Sequence, residues 1–314
     1  MILSYSVKNN SPVINVKQIL KNEFFLSDRL IRKLKLNNKI YINNMPASVN
    51  FKVKTSDVVS VNIDFEEDNS NIVPTKMDLD ILYEDDAYLI INKPAGIPTH
   101  PSYLHYTNSL SNGIKYYFDS IKLKKKIRPV NRLDRNTSGI VIFAKNEYIQ
   151  ECLIRQMQNN IFQKEYIAIL SGNLEKTIGT INAPIARKSN SIIERCIRTD
   201  GDTAITEYKV IQNMQNNSLV LFKLKTGRTH QIRVHSQYIG HPIIGDTLYG
   251  SSSPIIDRQA LHSYKVKFIH PISKEEVTYI APIPDDMSKI ISPYFNNSKK
   301  FNFSWIILFF FFKI

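Results

Sequence analysis

Asn131-Arg132-Leu133-Asp134-Arg135-Asn136-Thr137-Ser138-Gly139 runs straight into Ile140-Val141-Ile142-Phe143-Ala144. A polar turn that opens onto an unbroken apolar run reads as a loop at the mouth of a buried strand. Asp134 stands between two arginines, and nearby positive charge keeps a carboxyl ionised at neutral pH. An ionised carboxylate can serve as nucleophile or general base. Gly139 gives the turn a backbone freedom that other residues lack. By composition alone, an ordinary Arg–Asp–Arg surface cluster would look the same.

Around this stretch, from about Leu79 to Pro284, short β-rich runs alternate with turn signals: Leu89–Ile91, Tyr166–Leu170 and Ser218–Leu224. A helix is predicted near 146–160, capped by Asn146, with Tyr148, Ile149 and Cys152 on or near one face. The mixture predicts an α+β fold with a mixed, largely antiparallel sheet. A second dense polar word is Lys225-Thr226-Gly227-Arg228-Thr229-His230-Gln231-Ile232-Arg233-Val234-His235. Ile232 and Val234 alternate as in a strand. With His241, its histidines invite a metal reading, but no cysteine or carboxylate stands at ligand spacing nearby.

Upstream, residues 13–64 form a small basic unit. Val16–Leu20 and Ser27–Leu34 predict two short helices, with Ser27 or Asp28 as the N-cap of the second. Leu30, Ile31 and Leu34 share a face, leaving Arg29, Arg32, Lys33 and Lys35 largely elsewhere, open to solvent or phosphate. Lys39–Asn44 reads as a strand into a turn, and Asp57–Ile63 as a second strand with Val59, Val61 and Ile63 alternating. Residues 1–63 hold ten Lys and Arg against three Asp and Glu. The acidic, polar stretch 65–78 reads as a linker, residues 79–290 as the main domain, and 291–314 as a tail.

The whole chain of 314 residues carries 41 Lys and Arg against 28 Asp and Glu, a net charge of +13. With 43% apolar residues, this composition excludes a disordered, collagenous or multi-span membrane protein. The charge favours an anionic partner, most simply a nucleic acid. Two cysteines, Cys152 and Cys196, are too few for a disulfide scaffold and point to reduced thiols in a cytoplasmic protein. No signal peptide is apparent at the N-terminus. Trp305–Phe312 is apolar but far shorter than the roughly 20 residues of a spanning helix, so a docked or frayed tail is expected and no membrane partner.

The words of the chain resemble those of the RluA/RluD-type RNA pseudouridine synthases. Arg132-Leu133-Asp134-x-x-Thr137-Ser138-Gly139 is similar to the family's catalytic motif. In matching order come Glu84-Asp85-Asp86 with Asn92-Lys93-Pro94-Ala95-Gly96, then Lys164-Glu165-Tyr166, then Thr226–His235. Gly240–Asp246 with Leu248-Tyr249-Gly250 follows, and Arg258–His262 with Phe268-x-His270-Pro271 closes the series. The basic N-terminal unit resembles the S4-like RNA-binding domain through Ser27–Lys33, Ile40–Asn44 and Asp57–Val61. Asn44 and Ser56 stand where that domain usually has glycine, and Asn131 stands where the synthases commonly have histidine, a change expected to adjust substrate contacts.

The resemblance implies isomerisation of uridine in structured RNA to pseudouridine: the N1–C1′ bond breaks and a C5–C1′ bond forms, with no cofactor and no metal. It implies Asp134 as the essential carboxylate, acting either on C1′ or on the 2′ proton. It implies Arg228 as the arginine that pairs with that aspartate, Tyr166 as the ring that stacks on the flipped uracil, and Arg132 as an arginine that displaces the target nucleotide. Arg29, Arg32, Lys33 and Lys35, together with Lys124, Lys125 and Lys126 beside the catalytic turn, are the candidates for phosphate contact. The favoured RNA is 23S rRNA, with tRNA as the other target; no obligate protein partner is implied. The alternative is a non-catalytic RNA-binding or ribosome-assembly factor on the same fold.

Overall fold

The computed structural model describes residues 1–8 and 14–295. They divide into two compact units: Met1–Lys164 with Ser263–Ala281, and Glu165–His262 with the chain from Pro282 onward. The 65–78 stretch lies inside the first unit, and the apolar run Trp305–Phe312 lies outside the described residues.

The first unit opens with β1 (Ile2–Ser6), α1 (Val16–Asn22), α2 (Asp28–Leu36), β2 (Ile40–Ile42), β3 (Met45–Pro46) and β4 (Val58–Asn62). Asn15 and Gln18 cap α1 reciprocally, each side chain accepting the other's backbone N–H, at 3.0 and 2.8 Å. Ser27 is the cap of α2, its hydroxyl accepting from Leu30 N at 3.3 Å. The strands form an antiparallel sheet in the order β1-β4-β2-β3. Val59, Val61 and Ile63 are buried, as their alternation predicts. The sequence places the start of this unit at residue 13; the structure adds β1 before it, a five-residue edge strand whose side chains alternate only between half-buried and exposed and so leave no strong apolar signal. Asn43 and Asn44 join β2 to β3 with φ of 48° and 66°, and Ser56 enters β4 at φ 71°. Both positions where glycine was expected keep the left-handed backbone. Asn tolerates it well; Ser less so.

Next come β5 (Ile81–Glu84), β6 (Tyr88–Lys93), α3 (Leu110–Ser120), β7 (Arg128–Pro129), β8 (Ser138–Ala144) and α4 (Glu147–Gln158). The pairs β5–β6, β6–β8 and β7–β8 are antiparallel. All of β8 is buried, which is why it is apolar from Gly139 to Ala144. Asn146 caps α4 through Ile149 N at 2.9 Å. The N-terminal lobe is not a separate bead: Val7, Leu20, Leu30 and Val59 share one buried cluster with Val130, Ile140, Ile142, Tyr148 and Phe268.

The second unit takes up β9 (Gln163–Ser171) from Glu165, followed by β10 (Ile178–Asn182), β11 (Ile185–Arg187), β12 (Arg195–Ile197), β13 (Ile205–Asn213), β14 (Asn217–Leu224) and α5 (Gln231–Tyr238). Its strands run β10-β13-β14-β9, antiparallel throughout, and β11 pairs with β12. The strand read over Ile232–Val234 is instead α5. The chain re-enters the first unit within β15 (Leu261–Ile269), which lies beside β8 and pairs with β16 (Glu276–Ile280); α6 (Asp285–Ile291) belongs to the second unit. The fold is α+β, as expected. No helix among the described residues is long and apolar enough to cross a membrane.

Candidate active site

Asp134 sits, half-buried, in the turn between β7 and β8. The turn is closed by Thr137 N donating to the Asp134 carbonyl at 3.1 Å. Its two sides are anchored independently. On one, the Thr99 hydroxyl accepts from Leu133 N at 3.2 Å and reaches the Leu133 carbonyl at 3.3 Å. On the other, the Arg135 carbonyl accepts from Lys93 Nζ at 3.0 Å and from Gly96 N at 3.0 Å. Lys93 is fully buried and also donates to the carbonyls of Pro94 and Ile97, at 2.8 and 2.9 Å. A buried ammonium surrounded by carbonyls is a costly device unless it fixes something; here it fixes the residue after Asp134. In the sequence Lys93 stands out only within Asn92–Gly96, and nothing local signals this role.

Below the turn, Asn131 spans the base of β8, donating to the Ile140 carbonyl and accepting from Ile142 N, both at 2.9 Å. Its amide is spent on backbone, so the expected adjustment of substrate contacts is replaced by a structural role. Gly139 has φ 109°, and a Cβ there would lie 2.2 Å from the Ser263 carbonyl oxygen on β15. That approach excludes any side chain. Arg132 and Arg135 are exposed on either side of Asp134. His100 lies close to Arg132; burial first, and the Arg132 charge second, push its pKa below the ordinary histidine value.

The expected phosphate-contacting cations fall into two groups. Arg29, Arg32, Lys35 and Lys126 are exposed. Lys33 and Lys125 are half-buried and taken up by the acidic strap that follows β4. Lys33 meets Glu67 at 3.1 Å and Glu147 at 3.6 Å, and its ammonium lies 4.0 Å from the centre of the Phe65 ring. Lys125 pairs with Asp64 and donates to the Phe65 carbonyl at 2.8 Å. Exposed Lys124 meets Glu66 at 3.1 Å. For Lys33 and Lys125, phosphate contact is therefore corrected to a structural pairing, because a carboxylate already occupies each ammonium.

In the second unit, Tyr166 is buried on β9 opposite Phe222 of β14. Arg228 lies in the turn after β14. Its Nε donates to the Thr203 carbonyl at 3.0 Å, and Nη1 stands 3.7 Å from Asp202. Gln231 builds that turn: its Oε1 accepts from Arg228 N and the Thr226 hydroxyl, both at 2.9 Å, and its Nε2 donates to the Ile205 carbonyl and the Thr206 hydroxyl, at 3.0 and 2.9 Å. His235 and Arg233 of the same word are structural. His235 is fully buried between the Thr206 hydroxyl and the Ala183 carbonyl, each at 2.9 Å, and burial lowers its pKa. Arg233 grips Asp246 with two bonds at 2.7 and 2.8 Å. Tyr249 accepts from Arg195 N at 2.7 Å and shares a second hydrogen bond with His230 Nδ1 at 2.9 Å.

The family model for RNA pseudouridylate synthase matches residues 87–238. An RNA pseudouridine synthase of Bacillus subtilis, YjbO, is 38% identical over 270 residues, covering 86% of this chain and 95% of the relative. Another from the same organism, YhcT, is 39% identical over 293 residues, covering 90% and 97%. Ribosomal large subunit pseudouridine synthase D of Vibrio cholerae is 34% identical over 267 residues, covering 80% and 82%. Among solved structures, human RNA pseudouridylate synthase domain containing 1 shares the fold, with a TM-score of 0.54 at 24% identity over 71% of this chain and 97% of its own. The chain belongs to the RNA pseudouridine synthase family. Its chemistry is therefore the isomerisation of uridine in RNA.

Proposed function

We propose that Asp134 is the essential carboxylate of this enzyme and that its substrate is a uridine of large-subunit (23S) rRNA, modified in the cytoplasm. The observation that carries the assignment of Asp134 is the double anchoring of its turn by Lys93 and Thr99. Electrostatic and nucleophilic catalysis both reward a group held in place before the substrate arrives. Whether the carboxylate adds to C1′ or takes the 2′ proton, the balance is the same: N1 leaves C1′, C5 replaces it, the C5 proton goes to solvent and N1 gains one. The base must first leave its stack, at a cost of a few kcal/mol. Arg132, exposed beside Asp134, takes its place in the role the family resemblance implies. Tyr166 and Arg228 take the roles implied by the family resemblance, stacking on the uracil and holding the carboxylate's charge.

The rRNA assignment is supported by the relatives named for the ribosomal large subunit, with tRNA the competing target. The N-terminal lobe is proposed to bind RNA in the S4-like manner through Arg29, Arg32 and Lys35. The test is tritium release from RNA labelled at uracil C5, with unmodified rRNA and tRNA as separate pools. Wild type should release tritium from rRNA, and Asp134→Asn should release none while binding RNA as wild type does. Equal activity of the two proteins would overturn the role of Asp134, and release confined to tRNA would overturn the substrate. Salt-sensitive binding with no release from any pool would favour the non-catalytic assembly factor.

A further inference from the structure

Between β6 and α3, the chain makes a tight turn whose tip stands in solvent. Ser102 and His105 exchange backbone bonds at 3.3 and 3.0 Å, and the two residues they enclose, Tyr103 and Leu104, are 98% and 82% exposed; Tyr106, just beyond, is 60% exposed. The base of this tip is braced by hydrogen bonds. Asn112 of α3 donates to the Tyr106 carbonyl at 3.0 Å, and the Thr75 hydroxyl to the Thr107 carbonyl at 2.7 Å. His105 Nδ1 pairs with the Asn108 side-chain oxygen at 3.0 Å, which leaves Nε2 as an acceptor 3.5 Å from Arg135 Nη1. The same segment supplies Thr99, which holds Leu133. The tip and the Asp134 turn are thus parts of one braced assembly within the first unit. Residues 87–118 contain no Asp or Glu, whereas Arg132 and Arg135 flank Asp134. Solvent-facing tyrosines on a braced, acid-free support beside cations are what a polyanion with exposed π-faces requires.

We propose that Tyr103 and Tyr106 form a stacking platform for unpaired nucleotides that flank the target uridine. The proposal rests on the reading that RNA reacts at the Asp134 turn. The platform would hold the flank while the uridine is flipped, and stacking, being tolerant of sequence, would select for unpaired RNA rather than for a base. The experiment uses the full chain and a hairpin RNA whose loop carries the uridine, with 2-aminopurine beside it. In Asp134→Asn protein, binding should quench the 2-aminopurine, and Tyr103→Ala with Tyr106→Ala should abolish the quench and raise Kd about tenfold to a hundredfold, the usual worth of stacked bases. Tyr103→Phe should behave as wild type. In otherwise wild-type protein, the alanine variants should raise KM for tritium release by the same factor with little change in kcat. Unchanged quench and KM in the double alanine variant would overturn the platform and favour a protein partner for this tip. Failure of wild-type protein to release tritium with the quench intact would instead fault the reading that RNA reacts at the Asp134 turn and leave the platform standing as a binding site.

Discussion

Replacing Glu67 with Gln should loosen the first unit by a calculable amount. The Glu67 carboxylate receives both Arg128 Nη atoms, at 2.6 and 2.7 Å, and Lys33 Nζ at 3.1 Å, and its side chain is 8% exposed. Lys33 belongs to α2 of the N-terminal lobe, and Arg128 begins β7, which leads into the catalytic turn. Burial alone would raise this carboxyl's pKa; Arg128 and then Lys33 outweigh it and hold the value below the ordinary 4.5. Glu67→Gln keeps the volume but removes the charge, and its amide nitrogen must face a donor. Arg128, with a side chain 12% exposed, then lacks a counter-charge, whereas Lys33 keeps Glu147. Breaking a fully buried pair costs about 3–5 kcal/mol. Because Lys33 stays paired, about 2–3 kcal/mol is expected, and the melting temperature should fall by about 4–10 °C. The sign with pH follows from linkage. A depressed folded pKa gives stabilisation that is complete above pH 4.5 and fades as pH falls through the folded value. The gap between wild type and Glu67→Gln, followed by calorimetry, should therefore be full at pH 7 and close in acid. Superimposable melts at pH 7, or a gap that persists in acid, would refute the reasoning.

Lys93→Met should lower turnover strongly while RNA binding persists, because it unpins the Arg135 carbonyl, and it should cost about 2–4 kcal/mol of stability by leaving buried carbonyls unpaired; normal single-turnover rates in a folded variant would contradict the anchoring role. Gly139→Ala should cost about 3 kcal/mol or more through overpacking and a left-handed alanine, and a variant that melts with the wild type would contradict the close approach of β15. Arg29→Ala combined with Arg32→Ala should flatten the dependence of log Kd on log salt by about 1.4 for single-stranded RNA. Lys33→Ala should leave that slope unchanged and lower the melting temperature instead; the reverse pattern would restore Lys33 as a phosphate contact.

Local signals were legible where they are local in cause. The caps Ser27 and Asn146 act on backbone three residues away; Asn146 is readable outright and Ser27 as one of two adjacent candidates with Asp28. The continuous apolar run of β8 announced a strand covered on both faces. Helix α5 was misread for the opposite reason. Every residue from Gln231 to Ser236 is buried, so no solvent face imposes the helical period, and two alternating apolar residues mimic a strand. The pairing of Lys33 and Lys125 was illegible because their carboxylates lie more than thirty residues away in sequence. A basic count predicts the sign of a surface; it does not reveal which cations the fold has already spent.

The same distinction bears on what the family words mean. Asp85 fixes Ala87 N and Tyr88 N, at 2.7 and 2.9 Å, and accepts from His270 Nε2 at 2.9 Å. His270 Nδ1 accepts from Ile272 N and Ser273 N, at 3.1 and 3.0 Å, so its proton must lie on the Asp85 side. Two words separated by most of the chain are thus one brace. Lys93 with Arg135, Thr99 with Leu133, and Gly139 with Ser263 are further braces, each pressing on the β7–β8 turn or its base. Most of the recognisable letters in the first unit hold a geometry, and few are free to touch a nucleotide. It follows that lost activity on changing such a letter does not by itself mark a chemical role. Asp134 must be distinguished from Lys93 by a variant that melts as wild type does, binds RNA as wild type does, and still releases no tritium.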